Sequence, residues 1–254
     1  MNLLAKLKKK GTLIRLRDRY IHMLKNDLLF SHPLKHIRDE GEQLIPEEGG
    51  FGAVLSRAGV GKTAFLVQLA LHAMLENKYV LHISLIDPVD KVTLWYKELF
   101  NGLGQHYKLA QVNQLWQTIL PFRFIMTFRV SSFSIPKLQE RLTDLSQQDI
   151  FKPEIIIIDG FQFDETALDF LSNLRALART HGCRVWFSVH THRHEDIQPD
   201  GMPARLSTLS DSFNLILKLE PAGSIIKIVP IKGIKSRDGG RPVYLDSSTM
   251  LISE

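Results

Sequence analysis

Short apolar runs alternate with amphipathic stretches along most of the chain. Runs rich in Val, Ile, Leu and Phe are typical of buried strands, and apolar residues that recur every three or four positions are typical of helices. The pattern predicts strands at 51–55, 79–85, 122–128, 154–159, 184–190 and 214–219. Helices are predicted between them at 62–76, 88–100, 111–118, 135–147 and 165–181. This alternation indicates an α/β fold with a mainly parallel, twisted sheet and helices on both faces.

The end of the chain departs from the alternation. Apolar segments at 225–232, 242–245 and 250–252 have no helical stretch between them, and the connection 233–241 is rich in glycine and charge. We expect these segments to form antiparallel hairpins at an edge of the sheet.

The start of the chain predicts a basic amphipathic helix. An apolar stripe with helical spacing runs from position 12 to position 30, and arginines and a lysine occupy the opposite face. The stripe consists of Leu13, Leu16, Tyr20, Leu24 and Leu28. A polar connector follows, so we divide the chain into a helix with its connector at 1–45 and a main domain at 46–254. The helix suits its own domain, a partner protein, an anionic membrane surface or a nucleic acid.

Charge is concentrated in that first segment. The chain has a net charge of +5, residues 1–25 contribute +7, and the remainder is therefore slightly acidic. A nucleic-acid partner is possible through the basic segment, but the main domain has no basic composition to support it. The sequence contains no apolar run of about 18 residues that would span a membrane, and its single cysteine, Cys183, excludes an internal disulfide. We expect a cytoplasmic protein.

A phosphate-binding loop is predicted between the first strand and the first helix. Residues 56–64 read Ser56, Arg57, Ala58, Gly59, Val60, Gly61, Lys62, Thr63 and Ala64. In this arrangement backbone N–H groups surround phosphate oxygens, the lysine adds a positive charge, and the threonine hydroxyl binds Mg²⁺. The pattern G-x-x-x-x-G-K-S/T has glycine where this chain has Ser56, and we expect the serine to restrict the backbone there.

An acidic residue at the end of a buried strand completes the predicted site. Four consecutive isoleucines at 155–158 precede Asp159, which would lie at the carboxyl edge of a central strand. A carboxylate there can hold the Mg²⁺ shell next to Thr63. The sequence therefore predicts ATP and Mg²⁺ as cofactors, with Thr63 and Asp159 at the metal.

With these motifs, residues 45–254 resemble the RecA-like branch of phosphate-loop ATPases, which contains RecA, KaiC, RadA and DnaB. Three further segments carry the resemblance: 83–92, 189–192 and 235–239. It implies that His190 senses the γ-phosphate, and that Lys235 and Arg237 reach the nucleotide of a neighbouring subunit in a homo-oligomer. The position of the water-activating glutamate holds Ile86, which cannot accept a proton, and Asp87 is the candidate substitute.

Several functions are consistent with this sequence. The first is an oligomeric, Mg-ATP-binding RecA-like ATPase with weak hydrolysis, in which Asp87, His190, Lys235 and Arg237 act in catalysis. The second is a nucleotide-responsive regulatory or binding module with little turnover, and the third is a helicase or DNA-recombination accessory ATPase. The alternating His190, His192 and His194 also leave a metal site as an alternative.

Overall fold

The fold is described by a computed structural model. It describes residues 23–26, 28–29, 47–106, 112–164, 167–191, 198, 201–234 and 242–253.

Within these residues, eight strands form one sheet. They are β1 Phe51–Ser56, β2 Val80–Ser84, β3 Arg123–Thr127, β4 Ile155–Asp159, β5 Arg184–His190, β6 Leu215–Ala222, β7 Ile225–Lys232 and β8 Val243–Asp246. Their order across the sheet is β3-β2-β4-β5-β1-β6-β7-β8. The strands from β3 to β6 are parallel, and β7 and β8 are added antiparallel. The predicted parallel sheet with terminal hairpins is confirmed.

Helices cover both faces of this sheet. They are α1 Lys62–Leu75, α2 Val89–His106, α3 Val112–Ile119, α4 Ile135–Gln147, α5 Ala167–Thr180 and the short α6 Ala204–Ser207. Because side chains alternate along a strand, each buried strand contributes to two cores. Ile157 packs with α1, α2 and α3, whereas its neighbours Ile156 and Ile158 pack with α4 and α5.

Two helices differ from the sequence prediction. Helix α2 continues to His106, beyond its predicted end at position 100. Gly104 is accommodated because a Cβ atom there would lie 2.5 Å from Cγ2 of Val112, so the missing side chain lets α3 approach closely. The four-residue α6 has no helical periodicity that a sequence pattern could reveal.

Part of the predicted N-terminal helix lies within the described residues. Residues 23–26 and 28–29 are helical, and Leu24 and Leu28 are buried in the core that contains α1. Lys25 Nζ donates a hydrogen bond to Asn77 Oδ1 at 2.6 Å, just beyond the end of α1. The apolar stripe therefore contacts its own domain at this point, and residues 1–22 lie outside the described residues. None of the described helices is long and apolar enough to cross a lipid bilayer.

Candidate functional site

The predicted phosphate-binding loop connects β1 to α1 at the carboxyl edge of the sheet. Gly59 and Gly61 have φ angles of 76° and 109°, which L side chains rarely adopt, and Gly61 is the residue that precedes the first turn of α1. The loop therefore leads directly to the N-terminus of α1, where unpaired N–H groups attract anions.

Ser56 does not restrict the loop, and that expectation is wrong. Ser56 is the last residue of β1 and is absent from the positive-φ positions, so its backbone needs no glycine. Its neighbour across the sheet is His190. The glycine requirement falls on Gly59 and Gly61 instead.

Lys62 lies over the entry to the loop. Its ammonium group donates hydrogen bonds to the carbonyl oxygens of Ser56 at 3.0 Å and Arg57 at 2.9 Å. Burial lowers the pKa of Lys62, and the nearby negative charge of Asp159 opposes this shift. These neutral carbonyl partners are ones that a phosphate oxygen can replace, because a hydrogen bond to a charged acceptor is stronger.

Thr63 and Asp159 are in direct contact. The Thr63 hydroxyl donates a hydrogen bond of 2.7 Å to Asp159 Oδ2, and Asp159 is only 8% exposed at the end of β4. The neighbouring strand holds this end of β4, because Leu85 N–H donates to the Asp159 carbonyl oxygen at 2.9 Å. The pair supplies two hard oxygen donors at the N-terminus of α1, and such donors fit Mg²⁺.

The end of β2 carries Ile86 and Asp87 next to this pair. The Ile86 side chain is 73% exposed, and a Cβ atom on Gly160 would lie 2.3 Å from its Cγ1. The Asp87 carboxylate accepts a hydrogen bond from Lys91 Nζ at 2.8 Å, and the Asp87 N–H donates to Ser84 Oγ at 2.9 Å. Asp87 is thus held at the start of α2, and its proposed catalytic role stays a prediction.

His190 ends β5 beside the loop entry. Thr191 N–H donates to the Ser56 carbonyl oxygen at 3.0 Å, and Arg205 donates to the His190 carbonyl oxygen. The backbone of β5 therefore fixes His190 next to Ser56, on the same edge of the sheet as Lys62.

A solved structure has the same architecture. The chain matches the ATPase domain of a DnaB-like helicase with a TM-score of 0.57 and 14% sequence identity, over 81% of this chain and 84% of that chain. The fold is RecA-like. No protein-family model and no curated protein sequence matches the chain.

Two RecA-like site predictions fall outside the described residues. Lys235 and Arg237 belong to the connection between β7 and β8 that the structure does not describe. The same is true of His192 and His194, and among the residues that are described no group of His, Cys, Asp and Glu is arranged to hold a metal ion.

One support of the loop was not apparent from the sequence. Met250 has a φ of 59° and places its side chain against Gly61, where a Cβ atom would lie 2.8 Å from the methionine sulfur. The amide of Gln68, a buried residue of α1, donates to the Met250 carbonyl oxygen. A polar residue on the buried side of α1 was the only available signal.

A buried polar cluster lies beneath the site. His82 on β2 is fully buried, and its Nδ1 lies 3.1 Å from the hydroxyl of Tyr96. Arg123 packs its guanidinium over the Tyr96 ring, 4.7 Å from the ring centroid. Burial lowers the pKa of His82 to about 4; the charge of Arg123 adds to this shift, and that of Asp159 opposes it.

Proposed function

We propose that the chain binds Mg-ATP at residues 56–64. The contact between Thr63 and Asp159 carries the proposal, since it joins the start of α1 to the end of β4 at 2.7 Å. In the complex, backbone N–H groups of the loop and the Lys62 ammonium bind the phosphates, and the Thr63 hydroxyl and Asp159 carboxylate hold Mg²⁺. The RecA-like fold supports this assignment.

Substitution of Lys62 tests the proposal. Lys62→Ala removes the cation that faces the phosphates, and Thr63→Ala removes the metal ligand, so we expect each variant to bind Mg-ATP at least about tenfold more weakly. Isothermal titration calorimetry measures the dissociation constants.

Matched controls are available elsewhere on the surface. Lys78→Ala removes an exposed lysine that pairs with Glu76, and Thr180→Ala removes a hydroxyl that donates to a carbonyl oxygen within α5. Both controls should bind Mg-ATP as the wild type does. Equal affinity in Lys62→Ala and wild type would contradict the proposal.

We infer that hydrolysis is slow in the isolated chain. Ile86 provides no proton acceptor, and Lys91 is bound to the Asp87 carboxylate. This supports a module that responds to nucleotide binding, and tight binding without turnover is its expected signature. Phosphate release stimulated by single-stranded DNA would favour the helicase or recombination accessory instead.

Oligomerisation belongs to the same proposal. In a homo-oligomer, Lys235 and Arg237 would stabilise negative charge at a neighbour's nucleotide. The variant Lys235→Ala/Arg237→Ala should then lose the residual turnover and keep its affinity for Mg-ATP. Light scattering that gives a monomer with and without Mg-ATP would contradict the shared site.

A further inference from the structure

An exposed apolar surface lies where three neighbouring strands end. Strands β3, β2 and β4 are adjacent and parallel, so the segments that follow them meet at one edge. We call their apolar residues the carboxyl-edge surface: Ile86, Val130, Phe133, Phe161, Leu168 and Phe170. Ile86 is 73% exposed and Leu168 is 54% exposed. Clustered exposure of this kind marks an interaction site.

Contacts show that the surface is continuous. Ile86 lies against Gly160, the residue before Phe161. The rings of Phe161 and Phe170 are stacked with centroids 4.6 Å apart, and the ring centroid of Phe133 lies 5.5 Å from that of Phe170. The surface therefore extends from the end of β2 across β4 to the segment that follows β3.

Acidic residues surround this surface. Asp90, Asp164 and Asp169 are exposed beside it, Arg129 is an exposed cation on the same edge, and Lys91 already belongs to an ion pair. The described rim is thus mainly acidic. This charge disfavours a nucleic-acid partner and favours an apolar segment that carries basic residues.

We propose that residues 3–10 of this chain bind the carboxyl-edge surface. This segment has Leu3, Leu4 and Leu7 at a spacing that one helical turn brings to a single side, and four lysines between positions 6 and 10. Its leucines match the apolar surface, and its lysines match the acidic rim.

The connecting chain is long enough for the segment to bind within one molecule. Residues 23–26 lie at the opposite edge of the sheet, where Lys25 bonds to Asn77. The intervening residues 11–22 can span about 40 Å when extended. A strand of five to eight residues is only about 17–27 Å long, so the segment reaches the carboxyl edge.

Disulfide crosslinking in the full chain tests the proposal. Cys183 is buried, so it leaves the introduced thiols as the accessible pair. Leu4→Cys/Leu168→Cys should form an intramolecular disulfide at least about tenfold faster than Leu4→Cys/Ile150→Cys. Ile150 is the matched control because it is 56% exposed just after the end of α4, near the edge where residues 23–26 lie. Non-reducing electrophoresis measures both rates.

Each outcome decides the proposal. An undirected tether would react with Ile150→Cys at least as fast as with Leu168→Cys, and that result would overturn it. A crosslinked dimer would assign the segment to a second copy and overturn the intramolecular arrangement. If docking occurs, adding Ile86→Asp or raising the salt concentration to about 0.5 M should slow the Leu168→Cys reaction. The experiment uses nucleotide-free protein, so its outcome is independent of Mg-ATP binding.

Discussion

Ile86 places a hydrocarbon side chain where the RecA-like resemblance expects a carboxylate. Its side chain contacts Gly160 and leaves most of its surface in water. A water molecule beside a bound γ-phosphate would find no proton acceptor at this position. The slow hydrolysis that we propose thus follows from one side chain, while the residues proposed for phosphate and metal binding lie together.

Restoring the carboxylate should raise turnover. Ile86→Glu supplies a general base at the end of β2, and general-base catalysis contributes about 10²-fold or more when the geometry is correct. We expect the rate of phosphate release at saturating Mg-ATP to rise at least about tenfold, with affinity changed little. A malachite-green assay measures the rate.

The control for this variant is Val89→Glu. Val89 is also exposed and apolar, and it lies further along the chain at the start of α2. The substitution adds the same charge without occupying the end of β2, so turnover should equal that of the wild type. If Ile86→Glu hydrolyses ATP no faster than Val89→Glu, the missing glutamate is not what limits turnover.

Gly160 is required by both its conformation and its neighbour. Its φ is 90°, and a Cβ atom would lie 2.3 Å from Ile86 Cγ1. We expect Gly160→Ala to lower the free energy of unfolding by about 2–4 kcal/mol, from backbone strain and steric overlap together. Urea denaturation followed by circular dichroism measures the change.

Two further variants separate these causes. Gly223 has a φ of 68° and open space around it, so Gly223→Ala reports backbone strain alone and should cost less. In Gly160→Ala/Ile86→Ala the steric overlap is removed, and part of the lost stability should return. No recovery in the double variant would assign the whole cost to the backbone of Gly160.

At the scale of elements, local patterns predicted most of the sheet. The isoleucine run of β4 and the glycine-rich loop before α1 are signals contained within a few neighbouring residues, because buried parallel strands and tight loops require those residue types. The extent of α2 was not predictable in the same way, since it depends on the approach of Val112 to Gly104. Contacts between distant segments leave no local pattern.

The same distinction applies to the candidate site. Lys62, Thr63 and Asp159 follow from motifs, and the structure brings the last two into contact. The support of Gly61 by Met250 joins residues far apart in the sequence, and no spacing rule connects them. The pairing of Asp87 with Lys91, by contrast, is a local interaction that competes with the catalytic role implied by the resemblance.

At the scale of the whole molecule, His82 links pH to stability. Its pKa is about 4 in the folded protein and near 6.5 in an exposed histidine. Below pH 6.5 the unfolded chain therefore binds a proton that the folded chain does not, so stability is complete above about pH 6.5 and falls as the pH decreases toward 4. We expect this residue alone to remove about 2 kcal/mol between about pH 7 and pH 5.

Urea denaturation at several pH values measures this dependence. His82→Gln has no titrating group, so its unfolding free energy should change less over this pH range than that of the wild type. His181→Gln is the control, because burial also lowers the pKa of His181 but its side chain is less buried than that of His82. A wild-type slope equal to that of His82→Gln would show that another group is responsible.

The contact of Met250 with Gly61 has a consequence for biosynthesis. Gln68 and Met250, which bond to each other, are 182 positions apart. A ribosome that has released β1 and α1 has therefore produced the whole nucleotide motif without the segment that packs on it. We infer that a nascent chain acquires its full affinity for nucleotide only after residue 250 has left the exit tunnel, so ligand cannot drive the folding of the first half during synthesis.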